Sequence, residues 1–457
     1  MTSLWRALAA SALALLSFGA ARADDAASTV VSHFGTWGYD FSGQDLAVPP
    51  GTNFFLYANG DWLKRAEIPA DKTIYGNYNK LDDLSEGTTR KLIEDAAAGR
   101  SDDPDAAKIG AAYRSFMDEA RAEQLDATPL AADLAAIRAE KTKSDVVALM
   151  GKAETGFQRS LFSIGIGPDA KAPTRYAVHL APAGLGLPDR DYYLSDQFAD
   201  KKAKYQSYAA LMLGMIGWAD PDINAKAIVD FETKLAEASW TRVERRDRDK
   251  MYRPMTVSEL ISFAPGFEFR VLLDDAGLRS VERVIVGTDT AFPAFARIFD
   301  STPLETLKAW QAFHLANSAS TLLSKRFVDA QFAFYGTTLR GQPETGLRWK
   351  RAVGFVNRAL GESVGRMYVA THFPPQAKAK VDALVTEVVA AMHARIDRLD
   401  WMSAETKAKA QEKLSKLTVK IGYPSKWRDY GALTMSADDL YGNGARTLAY
   451  NWDYLVR

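Results

Sequence analysis

The chain has 457 residues, which is enough for about two or three domains and a large apolar core. Lys plus Arg and Asp plus Glu each total 57, so no bulk field of one sign is available to attract nucleic acid, and we expect no nucleic-acid partner. The sequence contains no cysteine, which excludes thiol nucleophiles, Cys-ligated zinc, iron–sulfur clusters and disulfides.

Residues 1–23 have the pattern of a secretory signal peptide. Arg6 supplies the positive start, residues 7–21 are almost wholly apolar, and Ala21-Arg22-Ala23 forms a small-residue cleavage site. The alternative, a membrane anchor, is disfavoured because the apolar run is shorter than the roughly 20 residues that a spanning helix needs. We therefore predict cleavage after Ala23, no membrane span in the mature chain, and a periplasmic or secreted protein of a bacterial envelope.

A leading segment at residues 24–48 is followed by a chain dominated by helical periodicity. Few segments are strand-like. Two other segments have a threonine suited to cap a helix and a glutamate three positions later, which predicts helix starts. The longest helical pattern places apolar residues at three- and four-residue steps. In chain order, these elements are a strand at Arg175–Leu180, a capped helix start at Thr256, a strand at Val281–Val286, a capped start at Thr302 and a long amphipathic helix at Val381–Leu399. The pattern predicts a mainly α protein.

The histidines do not form a recognisable metal motif. A catalytic zinc site on a helix commonly uses H-E-x-x-H, which this sequence lacks. His314 follows Trp310 by four positions on an apolar stripe, and His393 adjoins Met392 on another, so we interpret both as packed, hydrogen-bonded side chains. The five histidines are dispersed at His33, His179, His314, His372 and His393.

Two segments carry weaker catalytic patterns. Residues 361–365, Gly-Glu-Ser-Val-Gly, match a nucleophile elbow literally, but no strand precedes them, so we interpret the glycines as close helix packing or a turn. Residues 187–194 contain paired aspartates, which glycoside chemistry would need, although the proline favours a turn with Asp as a helix cap. Residues 242–253 mix both charges and are typical of a solvated connector that pairs within itself.

An ordered set of segments resembles the N-terminal half of the neprilysin, endothelin-converting enzyme and oligopeptidase O family of zinc metallopeptidases. The resemblance implies a large helical N-terminal domain at residues 49–431, facing a thermolysin-like catalytic domain across a cavity that admits oligopeptides. Residues 432–457 resemble the lead-in to that catalytic domain. The matching segments are residues 48–63, 68–69, 75–78, 113–118, 186–194, 348–351, 361–369, 399–403, 406–407 and 420–424.

The same resemblance implies that the zinc ligands and the catalytic Glu of full-length members lie beyond Arg457. We therefore expect this chain to be a truncated form that binds no zinc and is inactive alone, the substrate-gating part of an exported zinc metalloendopeptidase. The alternative is a non-catalytic peptide-binding or interaction module derived from that family. The face that meets the catalytic domain in full-length members is then expected to be exposed and to favour association.

The resemblance also identifies four substrate-facing positions. Neprilysin has arginines that bind the terminal carboxylate of the substrate at the positions matched here by Ile74 and Asp82. Tyr75 and Asn77 belong to the segment between them. Because a C-terminal carboxylate would lose its bidentate partners and meet Asp82 instead, we predict little dipeptidyl-carboxypeptidase preference.

Overall fold

A computed structural model describes residues 40–457 of the chain. The predicted signal peptide, most of the leading segment and His33 lie outside the described residues. The described residues divide into two compact units, residues 40–68 and residues 69–457.

The described part of the first unit is organised around helix α1, Phe54–Arg65. Asn53 caps this helix, since its side-chain oxygen accepts a hydrogen bond from the Leu56 amide at 3.0 Å. A single 3₁₀ turn, Phe41–Gly43, precedes it. Lys64 of α1 pairs with Asp45 at 2.8 Å, which ties the preceding loop to the helix.

The second unit is built mainly from α-helices, which confirms the predicted fold class. Its first helices are α2 Asn77–Ala97, α3 Ala106–Met117, α4 Glu119–Leu125, α5 Ala131–Ala139, α6 Lys143–Gly151, α7 Asp191–Leu194, α8 Ala199–Met215 and α9 Pro221–Ala238. The later ones are α10 Val257–Phe263, α11 Phe269–Asp275, α12 Ala291–Ser301, α13 Leu304–Ala319, α14 Lys325–Gln331, α15 Arg348–His372, α16 Pro375–Arg398, α17 Ala404–Ser415 and α18 Leu440–Val456. A π-helical turn, Phe332–Thr338, continues α14.

One small sheet interrupts the helices. Its strands are β1 Phe162–Asp169, β2 Ala172–Pro182, β3 Arg253–Thr256 and β4 Arg283–Val286, in the order β1-β2-β4-β3. β2 pairs antiparallel with β1 and parallel with β4, whereas β3 and β4 are antiparallel. Both predicted strands are confirmed, as β2 and β4, and β1 and β3 were not predicted.

Helix α13 lies at the centre of the core. Its residues from Leu307 to Ala316 are all buried, as expected for a helix surrounded by other elements on every side. A second cluster of buried aromatic rings surrounds Phe162 of β1, whose centroid lies 4.7–5.9 Å from four other phenylalanine rings. Each such burial stabilises the fold by about 1.5–3 kcal/mol, so this region holds the sheet against the helices.

The two predicted helix starts have different outcomes. Thr256 caps α10 in a complete capping box with Glu259, as predicted. The prediction at Thr302 is wrong, because α13 begins at Leu304 and its N-terminal flanking residue is Pro303, which has no side-chain cap. The Thr302 hydroxyl instead donates to the Ile298 carbonyl at 2.6 Å, so it closes the preceding helix α12.

The long amphipathic helix predicted at Val381–Leu399 corresponds to α16, which ends one residue earlier at Arg398, and its apolar stripe is only partly covered. Leu384 is 62% exposed and Val388 57% exposed. Helix α17 packs beside α16 through a hydrogen bond from the Gln411 amide group to the His393 carbonyl at 2.9 Å. No helix in the described residues is both long and apolar enough to cross a membrane.

Candidate functional site

Ile74 and Asp82 line the same cavity, at the junction of the loop before α2 and the first turns of that helix. The cavity has a volume of about 370 Å³. Ile74 is 70% exposed, so its apolar side chain is available to a ligand. The lining consists of Asp71, Lys72, Thr73, Ile74, Asn79, Asp82, Asp83, Glu86 and Gln342.

Tyr75 and Asn77 lie beside this cavity without lining it. The Tyr75 hydroxyl donates to Asp83 Oδ2 at 3.3 Å, and the Lys72 ammonium lies 5.2 Å from the centre of the Tyr75 ring. Asn77 is exposed and is the first residue of α2. Tyr75 therefore orients a carboxylate of the lining, whereas Asn77 marks the start of the helix that carries Asp82.

The cavity has an acidic lining. Four of its side chains are carboxylic acids and one, Lys72, is a cation that pairs with Asp83. Lys350 pairs with Asp71 from outside the lining at 2.5 Å. Burial raises the pKa of Glu86 above its usual value, and the nearby Lys350 only partly opposes this. A ligand carboxylate placed here would meet like charges.

A larger groove follows the other end of α2. It encloses about 1080 Å³ between α2, the loop at residues 100–104 and the C-terminal half of α15. Leu84, Leu92 and Met367 supply apolar surface, and Asp83 lines both the groove and the smaller cavity. The two spaces therefore form neighbouring sites along one helix.

The polar rim of the groove is held in place by ion pairs. The Arg366 guanidinium forms a bidentate pair with Asp103, at 2.8 Å from each oxygen, and a third contact with Asp105 at 3.1 Å. These carboxylates raise the pKa of Arg366 above its usual value. The bidentate pair between Arg366 and Asp103 fixes the loop at residues 100–104 against α15. The sequence gives no local signal for this groove, because the paired residues come from distant segments.

The nucleophile-elbow pattern proves to be helical. Ser363 lies inside α15, is fully buried and donates to Asp105 Oδ2 at 2.6 Å, so its hydroxyl is a packing contact that no substrate reaches. Its glycines were interpreted as close helix packing or a turn. An added Cβ on Gly361 would meet no atom within 4 Å, so close packing is wrong there, but Leu360 before it has a non-helical φ of −133° and ψ of 33°, so α15 is kinked at this point. The nearest atom to a Cβ on Gly365 would be 3.7 Å away, on Trp427.

His314 is a packed core residue, as predicted. It is 2% exposed, and its Nε2 lies 2.7 Å from Oε1 of the fully buried Glu232. Burial lowers the pKa of His314, so the neutral ring donates from Nε2. Glu232 also accepts hydrogen bonds from the Trp310 indole at 3.0 Å, from the hydroxyls of Tyr193 and Tyr205 at 2.5 and 3.2 Å, and from the Gly186 amide at 3.2 Å.

These surroundings are hydrogen-bond donors and do not form a metal shell. Within residues 40–457, no group of three or more His, Cys, Asp or Glu side chains is placed to hold a metal ion. A catalytic zinc needs about three protein ligands and an open position. The described residues thus do not fit a zinc ion.

Comparison with known proteins identifies the family. The model for the N-terminal region of Peptidase family M13 matches residues 50–424. The chain belongs to peptidase family M13. This confirms the resemblance inferred from the ordered segments, and M13 relatives include enzymes named as zinc metalloproteases.

Several relatives and solved structures resemble this M13 chain over most of its length. Endothelin-converting enzyme 1 of Mus musculus is 27% identical over 433 residues, which cover 89% of this chain and 56% of the mouse protein. Endothelin-converting enzyme-like 1 of Rattus norvegicus is 28% identical and covers 83% of this chain and 51% of the rat protein. The zinc metalloprotease Zmp1 of Mycobacterium tuberculosis, solved with an inhibitor, is 36% identical with a TM-score of 0.87, over 92% of this chain and 64% of that one.

PepO from Lactobacillus rhamnosis shares the fold, with a TM-score of 0.77 and 22% identity over 90% of this chain and 66% of that one. The M13 chain spans about half the length of the curated relatives that it matches, at 51–57% of each.

Proposed function

We propose that this M13 chain is the substrate-gating, peptide-binding part of an exported zinc metalloendopeptidase that hydrolyses oligopeptides. The observation that carries the proposal is the pair of neighbouring spaces along α2, the 370 Å³ cavity and the 1080 Å³ groove, whose linings share Asp83. The family match and the relatives named as converting enzymes and zinc metalloproteases support the assignment to peptide substrates.

In this proposal the groove binds the side chains of an extended peptide. Its apolar side chains along α2 and α15 provide contact area, and its ion-paired rim limits the peptide to one path. Ile74 and Asp82 act at the neighbouring cavity, where they disfavour a free C-terminal carboxylate and accept an amidated or internal segment.

The described residues offer no zinc shell, so we assign binding to them and derive no hydrolytic step from them. We propose that the chain alone binds peptides without cleaving them. The rival proposal, a module that binds peptides as its whole function, makes the same prediction for this chain and differs only for a longer polypeptide that carries zinc ligands.

A direct test measures zinc content and peptide cleavage in the purified protein, together with saturable binding of short fluorescent peptides. Binding without turnover is expected. Stoichiometric zinc with chelator-sensitive cleavage would overturn the assignment of binding alone, and the absence of any peptide binding would overturn the proposed function.

The role of Ile74 and Asp82 is tested by restoring two cations with the double variant Ile74→Arg, Asp82→Arg. The introduced arginines are expected to form charge-assisted hydrogen bonds with a C-terminal carboxylate. The ratio of the affinity for free-acid peptides to that for amidated peptides should then be about tenfold higher than in the unaltered protein. The double variant Asp222→Arg, Ile223→Arg, at exposed positions of α9, adds the same charge and is the matched control. An equal preference in both variants would contradict the role of the cavity.

The signal pattern at residues 1–23 supports a periplasmic or secreted location. Mass spectrometry of the protein expressed in a bacterium is expected to give a mature N-terminus at Asp24. We further propose that the exposed apolar stripe of α16, with Leu384 and Val388, promotes association. Sedimentation velocity is expected to show oligomers that Leu384→Lys disperses, and a monodisperse monomer would contradict this.

A further inference from the structure

A second cavity, which shares no lining residue with the α2 site, lies where the chain leaves β2. It has a volume of about 390 Å³, within the range of small-ligand pockets. The stretch from residue 182 to residue 190 forms one wall, and Arg159, Trp240, Arg245 and Thr288 come from other segments.

The wall formed by residues 182–190 is rigid. Gly184 has a φ of +94°, which a side chain would strain, and a Cβ there would lie 2.9 Å from Leu161. A Cβ on Gly186 would lie 1.7 Å from the Tyr205 hydroxyl oxygen, so only glycine fits. The amides of Gly186 and Leu187 donate to the Tyr193 hydroxyl at 3.0 and 2.9 Å.

The opposite wall has a similarly fixed backbone. Thr288 is buried and has a φ of +55°, an uncommon conformation for a residue with a branched side chain. Trp240 is oriented by a hydrogen bond from its indole Nε1 to Thr290 Oγ1 at 2.7 Å. The cavity is therefore preformed, so a ligand would bind without ordering the chain.

The lining is rich in guanidinium groups. It contains Arg159, Arg190 and Arg245, against a single carboxylate, Asp189. That carboxylate is already paired, since Arg245 approaches its Oδ2 at 2.8 Å and Arg242 approaches the same oxygen at 3.1 Å. The prediction that residues 242–253 pair only within themselves is wrong here, because two of their arginines reach Asp189.

Arg159 is the residue that points to a ligand. Its Nη2 donates to the Leu185 carbonyl at 3.0 Å, whereas its Nε is buried and has no hydrogen-bond partner among the described residues. Leaving a buried donor of a charged group unpaired costs free energy. Because Arg159 lines the cavity and is only half-buried, an oxyanion in the cavity would meet the accessible part of the guanidinium and stabilise its charge.

We infer that this cavity binds a small ligand through an oxyanion, a carboxylate or phosphate group, held by Arg159 with Arg190 and Arg245 around it. A planar guanidinium donates two parallel hydrogen bonds to either group. Arg190 also donates from Nε to the Ala236 carbonyl at 3.1 Å and Arg245 pairs with Asp189, so these two arginines would use their remaining N–H groups for the ligand. The cavity is larger than the oxyanion alone, so the ligand carries further atoms against Trp240. This inference does not depend on the proposed peptidase function.

The test uses the purified full chain and isothermal titration with glutarate and with inorganic phosphate, at low and at high salt. Arg159→Met removes the guanidinium but keeps an apolar stem. Arg175→Met, at an exposed position of β2 outside the cavity, removes the same charge and is the matched control. Arg245→Met is a second cavity variant, whose side chain is 47% exposed, so folding is expected to tolerate it.

Millimolar or tighter binding is expected in the unaltered protein and in Arg175→Met, and an affinity lower by about tenfold or more in both cavity variants. Binding of glutarate alone assigns a carboxylate ligand, and binding of phosphate alone assigns a phosphate ligand. Failure of both probes to bind, or an equal loss in Arg175→Met, would overturn the inference.

Discussion

Glu140 offers a sharp test of the electrostatics of the core. It flanks the C-terminus of α5, is 6% exposed, and neither carboxylate oxygen has a hydrogen-bond partner among the described residues. Burial raises its pKa from 4.5 to about 8, opposed by Lys308 and reinforced by Asp145 and Glu305. Lys308 is engaged with Glu305 at 3.1 Å, which weakens its support for the Glu140 anion.

The sign of the pH dependence follows from this raised pKa. The folded protein binds the Glu140 proton more tightly than the unfolded chain does, so the contribution of this residue to stability is greatest below pH 4.5 and falls as the pH rises to about 8. At about 1.36 kcal/mol for each pH interval, ionisation lowers the free energy of unfolding by about 3 kcal/mol at neutral pH and by about 5 kcal/mol above pH 8.

Glu140→Gln removes the ionisation while it keeps the shape of the side chain. The free energy of unfolding of the variant is expected to exceed that of the unaltered protein by about 3 kcal/mol near neutral pH, with no gain near pH 4. Urea titrations followed by tryptophan fluorescence measure this at a series of pH values. Parallel profiles for the two proteins would refute the reasoning, and Glu237→Gln, at an exposed position of α9, controls for the loss of a charge.

Three further substitutions test the packing and the ion pairs. Glu232→Gln disrupts a buried carboxylate that accepts several donors and is expected to lower the free energy of unfolding by about 3 kcal/mol in urea titrations, whereas Glu237→Gln should change it by less than about 0.5 kcal/mol. Gly186→Ala places a Cβ against a buried hydroxyl and is expected to lower both the melting temperature and phosphate affinity in calorimetry. The Tyr252 hydroxyl lowers the pKa of Asp169 to about 2, so the carboxylate stabilises the fold above its ordinary pKa of 3.8 and this contribution is lost as the pH falls through about 2. The melting temperature of Asp169→Asn should therefore be reduced at neutral pH and should match the unaltered protein at the acid limit.

Local patterns predicted some elements well and missed others for identifiable reasons. β4 carries a run of β-branched residues, β2 places Tyr176, Val178 and Leu180 at alternate positions, and both strands were predicted. β1 contains Gly165, Gly167 and Pro168, which weaken strand propensity. The strand is therefore evident only from its pairing with β2, in which Phe162 lies opposite Pro182. β3 is four residues long and includes a proline, which is tolerated because it lies at the edge of the sheet.

The candidate site was predicted in part. Ile74 and Asp82 were identified from a resemblance, and the structure places both in one cavity lining. The groove beside them was not predicted, because Arg366 and Asp103 are far apart in sequence and become partners only when α15 packs on α2. Charge patterning along a chain cannot reveal such a pair.

The arginine-lined cavity shows why local composition misleads here. A mixed-charge connector is normally solvated, and residues 242–253 have that composition. Two of its arginines nevertheless converge on Asp189, which is buried at 4% exposure and therefore requires cationic partners. The connector is thus held in place by pairing with a buried acid that lies more than 50 positions earlier in the sequence.

Glu232 links the rigid wall of that cavity to the centre of the core. A glutamate on a helix is ordinarily exposed, and here four aromatic or imidazole side chains from α7, α8 and α13 supply its hydrogen bonds. Glu232 Oε2, which accepts the Tyr193 hydroxyl, also accepts a hydrogen bond from the Gly186 amide at 3.2 Å. Because that amide belongs to the cavity wall, loosening the Glu232 network would loosen the wall. Ligand affinity and core stability are therefore expected to fall together when this carboxylate is altered, whereas loss of Arg159 would lower affinity with less effect on stability.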